Sequence, residues 1–164
     1  MEFYFEIFDS LNKAEVKYLL CGGLAINIFG IPRMTADIDL LVSYEENNLR
    51  NFNSVLSRLH FIPQIPVPII QLAKKENRDE LIKTKNLIAY SFFNANSKAA
   101  HIDVLVDVPI AFDELWNRKE IRTFQNTMIK IVSIDDLIKL KEYSNRLQDQ
   151  HDILLLSKLK NNGK

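Results

Sequence analysis

Cysteine occurs once among 164 residues, and glycine only four times. A lone Cys21 in the apolar setting YLLCGG excludes an internal disulfide. With no activating neighbour in sequence, it reads as a buried small residue rather than a nucleophile. Charge of one sign is also lacking in excess: Lys plus Arg and Asp plus Glu number 21 each, so the balance demands neither a polyanionic partner nor a membrane surface. No apolar run approaches the roughly 20 residues that span a bilayer. The start MEFYFEIFDSLNKAEVKY carries acids in its apolar stretch and no basic lead, so it is not a signal peptide, and a cytoplasmic location is the default. The remainder, 47% apolar and 26% charged, fits one globular domain burying roughly 70% of its unfolded surface.

Hydrophobic periodicity organises the chain. Phe3, Ile7, Leu11 and Ala14 form a helical face. KYLLC is a buried strand stopped by Gly22-Gly23, and LAINIFG a short helix ended by Gly30 and Pro32. Asp37 to Val42 reads as a strand, and Leu49, Phe52, Val55, Leu56 and Leu59 as a second amphipathic helix. IPQIPVP is an irregular packed connection, and QLAKKENRDELIKTK a charged helix or ordered loop. NLIAYSFFN and AAHIDVLVDV are strands joined by a turn at 95–98, FDELWNRK a short helix, and EIRTF with TMIKIV a hairpin. SIDDLIKLKEYSNRL opens on a Ser N-cap with early acids, and QDQHDILLLSKLK continues as a second helix or bent extension. The expected class is α+β: a mixed sheet flanked by helices, with a core over about 16–132 and a helical tail over about 133–160, in one domain.

Two features of CGGLAINIFGIPRMTADIDLLV call for chemistry. Asp37 and Asp39 alternate in a strand and so share a face, where like charges repel unless a cation lies between them. Leu40 and Leu41 are both apolar, so the strand is buried on both faces beyond its acidic end. A strand running into Gly-Gly and a helix offers unpaired backbone N–H groups suited to phosphate, although no Gly-Lys-Ser/Thr follows and this is no Walker loop. A third acid, Asp103, sits among Ile, Val and Leu, where a lone carboxylate is costly without a partner. Asp107 reads as a solvated strand end. His101 shares the face of Asp103, but magnesium prefers oxygen, and His60 and His151 have no metal-ligand spacing. Trp116 reads as helix packing.

Gly22-Gly23, then Arg33-Met34-Thr35-Ala36-Asp37-Ile38-Asp39, then an Ile-Asp-Val strand, resembles the nucleotidyltransferase fold of the DNA polymerase beta superfamily, closest to the abortive-infection toxin branch. The resemblance covers about residues 16 to 107 and extends loosely to Lys141, Arg146, Asp149 and Asp152 in the tail. It implies a metal-dependent enzyme that moves a nucleoside monophosphate from an NTP to a hydroxyl on a tRNA, protein or small molecule, with a cognate antitoxin as a further partner. Asp37, Asp39 and Asp103 would be catalytic and hold one or two Mg²⁺ ions, Asp103 alternatively taking the acceptor's proton. Gly22, Gly23, Arg33, Thr35 and Lys141 would bind the nucleotide. Many relatives carry Ser in place of the second glycine, so Gly23 offers only its backbone. Two accounts stay open for Arg33 and Thr35, phosphate binding or local pairing, and likewise for Lys141, Arg146 and Asp149 in a solvated helix. The alternative at the level of function is a non-catalytic, antitoxin-like binding module on the same fold.

Overall fold

The structure is a computed structural model that describes residues 2–162, with the side chains of Glu2, Phe3, Lys98, Ala99 and Asn162 outside the described set. The Phe3 position of the first helical face therefore lies beyond description. The elements run α1 (Glu2–Lys13), β1 (Tyr18–Cys21), α2 (Gly22–Ile28), β2 (Ile38–Val42), α3 (Glu46–Arg58), β3 (Phe61–Pro63), a 3₁₀ turn (Ile69–Ala73) and α4 (Lys75–Lys85). They continue β4 (Ala89–Asn94), β5 (Ser97–Leu105), α5 (Phe112–Asn117), β6 (Glu120–Phe124), β7 (Thr127–Ile131), α6 (Ile134–Ser144) and α7 (Leu147–Asn162).

Among the described residues seven strands form one mixed sheet in the order β3-β4-β5-β2-β1-β7-β6. β1 is flanked by antiparallel β2 and parallel β7, and all four of its residues are buried, as a strand covered on both faces requires. β2 repeats the pattern at its far end, where Leu40, Leu41 and Val42 are buried in succession. α1 packs on β7 and α3, α2 on β1 and β2, and α6 on α7. Each Leu or Ile buried in this core contributes about 1.5–3 kcal/mol.

Local chemistry explains most boundaries. Ser133 caps α6 by accepting from the Asp136 N–H, and Asn145 ends the helix in the left-handed conformation at φ 47°. The tail is thus two helices, not one bent extension. The β6–β7 hairpin turns on Gln125 and Asn126, both at positive φ, the backbone of a type I′ turn without the usual glycine. Two readings need adjustment. Asp37 lies in a bend just before β2 rather than inside it, and the proline-rich connection opens with β3, which pairs with β4. α4 forms as a helix with no buried residue. Trp116 stacks on Phe112 at 5.7 Å, a packing role.

Candidate active site

Parallel pairing of β2 with β5 sets Asp39 directly beside Asp103 in register, and antiparallel pairing with β1 sets Cys21 beside Asp39. Register partners point to one face, with neighbouring strands about 4.8 Å apart. The two acids, 64 residues apart in sequence, therefore sit side by side at the point where β1 gives way to α2. Burial pushes the Asp39 carboxyl up to about 6, reinforced by the charges of Asp103 and Asp37 and opposed by the Gly23 N–H and Lys141. Asp37 is exposed on the bend, within electrostatic reach of Asp39 but not packed against it. Among the described residues no three His, Cys, Asp or Glu side chains stand gathered as a ready metal cage. The pair Asp39–Asp103 nevertheless fits a hard divalent cation: both donors are carboxylate oxygens, and a cation between them would remove a repulsion already felt by Asp39.

The glycine pair works through this carboxylate. Gly22 lies at φ +65°, and a methyl there would fall 1.7 Å from Asp39 Oδ2. A backbone hydrogen bond from Gly23 opposes the rise of the Asp39 carboxyl. A methyl at Gly23 would fall 2.5 Å from Arg33 Nη1 and 2.9 Å from Thr35 Oγ1. The first glycine thus makes room for the acid, and the second for the loop that precedes it. Gly22→Ala is expected to cost about 2–5 kcal/mol, combining a left-handed backbone with overpacking. It should also displace Asp39. Urea unfolding and nucleotide binding measured together would show both losses; an unchanged midpoint would contradict the geometry.

Behind the acids lies a buried ionic network that joins distant segments. Arg33 Nε donates to both oxygens of Asp152 at 3.1 Å. Lys141 Nζ reaches Asp149 at 2.9 Å and Asp152 at 2.7 Å, and Arg146 Nε reaches Asp149 at 2.9 Å. Burial opposes ionisation of Asp149, yet hydrogen bonds from Arg146, Ser144 and Lys141 hold its carboxyl well below the usual carboxylate range. Asn27 clamps the loop at its other end, accepting from the Arg33 N–H at 2.6 Å and donating to the Arg33 carbonyl at 2.8 Å.

A cleft of about 650 Å³ opens over this face, lined among others by Gly22, Asp39, Asp103, Asp107, Lys141 and Tyr143. It gathers four of the predicted site residues: Gly22 at the start of α2, Asp39 on β2, Asp103 on β5 and Lys141 on α6. Arg33 and Thr35 are not on its wall. Arg33 pairs with Asp152, and Thr35 Oγ1 makes only a long 3.4 Å contact to the Asp37 carbonyl. Arg146 does pair with Asp149 as i, i+3 spacing suggests, but Lys141 enters the same cluster from another helix. Asp107 is half-buried and accepts a hydrogen bond from the Tyr143 hydroxyl, so it is more than a solvated end. His101 lies 3.4 Å from Gln64. Cys21 is buried, and burial followed by the Asp39 charge raises its thiol pKa, which leaves it inert.

The sheet order and cleft are those of a nucleotidyltransferase fold. The solved structures that share the fold include the lincosamide antibiotic adenylyltransferase LnuA with lincomycin bound, and the antibiotic-resistance factor ANT(2'')-Ia in solution and in complex with adenylyl-2''-tobramycin. LnuA superposes with a TM-score of 0.62 at 13% identity, covering 97% of both chains. The ANT(2'')-Ia structures give 0.61 at 10% identity (96% of this chain, 82% of that one) and 0.58 at 9% (94% and 89%). No curated protein sequence matches. The chain belongs to the AbiEii nucleotidyl transferase toxin family of type IV toxin–antitoxin systems, whose family model matches residues 7–160.

Proposed function

We propose that this toxin-family nucleotidyltransferase works as one domain, its helical tail over about 133–160 closing a cleft in which Asp39 and Asp103 direct transfer of a nucleoside monophosphate from an NTP to a hydroxyl acceptor. The observation that carries the proposal is the register pairing of these two acids beside Gly22, with Lys141 lining the same cleft. Asp39 and Asp103 would hold a divalent cation such as Mg²⁺, with Asp37 able to swing in from its bend. When bound, the cation supplies charge neutralisation for the triphosphate.

Lys141 attracts the phosphates to its end of the cleft. Three cations (Arg33, Lys141, Arg146) face two carboxylates (Asp149, Asp152) in the network, leaving a surplus of one positive charge. Asp103 is placed to take the proton of the attacking hydroxyl as its oxygen bonds to the α-phosphorus. The bond to the bridging oxygen breaks, and pyrophosphate leaves with that electron pair. Gly23, Arg33 and Thr35 act behind the site, fixing the loop that presents Asp37. The acceptor is a tRNA, a protein or a small molecule, the protein partner is a cognate antitoxin, and the setting is the cytoplasm; among the described residues no helix is long and apolar enough to cross a membrane.

Incubating the purified chain with each labelled NTP, with Mg²⁺ or EDTA, and with panels of tRNAs, proteins and aminoglycoside-like compounds tests this. The expected result is label on one acceptor class only when the metal is present. A chain that shows no metal-dependent NTP binding and labels no acceptor would defeat the proposal.

A further inference from the structure

Past the end of β5 the cleft holds a carboxylate that the transfer chemistry does not use. Asp107 follows β5 by two residues, in a bend, and so lies at most about 13 Å from Asp103 along the chain path. That is a length one nucleoside spans from its 5′ phosphate to the edge of its base. Asp107 Oδ1 accepts from the Tyr143 hydroxyl at 3.0 Å, while among the described residues no side chain or backbone group donates to Oδ2. Apolar side chains of Ile88, Leu105, Val108, Pro109, Leu137 and Leu140 line the same cleft. Tyr143 is 52% exposed, so much of it remains open to a second partner.

We infer that Asp107, steadied by Tyr143, reads the base of the bound nucleotide and selects bases that present an amino group over uracil. The inference rests on the proposed function, because it needs the triphosphate at the Lys141 end. The polarity of the cleft then fixes the ligand's direction. A phosphate is attracted by Lys141 and repelled by Asp107, whereas a flat, weakly polar ring fits the apolar walls beside Asp107. An ionised carboxylate only accepts hydrogen bonds. Adenine, guanine and cytosine bring an exocyclic amino donor to it; uracil brings two carbonyl oxygens flanking one N–H, and those repel the carboxylate. Lys141 and Tyr143 lie two residues apart on α6, so one helix carries both the phosphate-attracting and the base-reading groups.

The test is equilibrium binding of ATP, GTP, CTP, UTP and inorganic tripolyphosphate, with Mg²⁺, to the full chain and to Asp107→Asn and Tyr143→Phe, with circular dichroism to confirm folding. At least one amino-bearing NTP should bind about tenfold tighter than UTP, the value of one hydrogen bond to a charged group. Asp107→Asn should bring that ratio towards one, since a carboxamide can donate to a uracil carbonyl, and leave tripolyphosphate binding unchanged. Tyr143→Phe should keep the preference, because the carboxylate remains. Equal binding of all four NTPs to the native chain overturns the inference alone, as does an Asp107→Asn variant that weakens tripolyphosphate as much as the NTPs. Absence of any NTP binding overturns the proposed function with it.

Discussion

Asp39→Asn should abolish nucleotide transfer, by on the order of 10³-fold, and yet make the protein more stable when no divalent cation is present. Both outcomes have one cause. Burial and the charges of Asp103 and Asp37 lift the Asp39 carboxyl to about 6, so the folded state binds a proton that the unfolded chain would release at lower pH. A carboxyl raised in this way costs stability at neutral pH. The cost starts to build above the ordinary carboxylate value near 4, is complete above about 6, and amounts to roughly 1–3 kcal/mol for a shift of about two units. Asparagine removes the charge and still accepts from the Gly23 N–H. In EDTA the variant should therefore unfold at higher urea concentration than the native protein at pH 7.5, with the difference gone at pH 4. Added Mg²⁺ should stabilise the native protein much more than the variant, by mass action. A variant less stable than the native chain at pH 7.5 in EDTA would show that Asp39 is not under electrostatic strain.

How far these residues were legible in sequence depends on how local their signals are. Asp103 stands out because a lone acid in an apolar strand needs a partner, and the register supplies Asp39 beside it. The α6 cap, the β6–β7 hairpin and the two-sided burial of β2 follow from nearest neighbours. The glycine pair was legible as special, but its closeness to Asp39 was not, since only the fold brings that carboxylate oxygen to where a methyl on Gly22 would stand. Contacts between remote segments leave no such trace. Asp152 and Arg33 are 119 residues apart, and nothing near either one names the other. Asn27 reads as an ordinary helix residue until the chain folds back and Arg33 hydrogen-bonds both ends of its amide. Asp107 was misjudged for the same reason: its partner Tyr143 comes from a helix 36 residues later. β3 hides in a proline-rich run because a three-residue edge strand needs few free N–H groups.

Lys141→Met should cost about 3 kcal/mol of stability, with the loss centred on α7 and the loop before β2. Lys141 is 5% exposed, and its ammonium is shared by Asp149 and Asp152, themselves 0% and 2% exposed. Removing it leaves two buried carboxylates with one guanidinium each. That of Arg146 is largely in water and weak, whereas that of Arg33 is mostly enclosed. Breaking a buried pair from one side costs about 3–5 kcal/mol, and the remaining partners offset part of it. The carboxyl of Asp149 is held low, so its contribution is present above the ordinary carboxylate value and lost as pH falls below it. The native protein should therefore be acid-labile, and the variant less so. Because Asp152 also grips Arg33, whose loop leads to Asp37, hydrogen exchange should accelerate in both α7 and residues 31–37. Adding Asp149→Asn to Lys141→Met should recover part of the loss, since a neutral pair carries less desolvation penalty than an unpaired ion. NTP binding should stay weak in the double variant, because the phosphate-facing charge is still absent. Recovery of binding along with stability would mean that Lys141 serves the fold alone; a single variant losing less than about 1 kcal/mol would mean that the ionic cluster does not hold the tail in place.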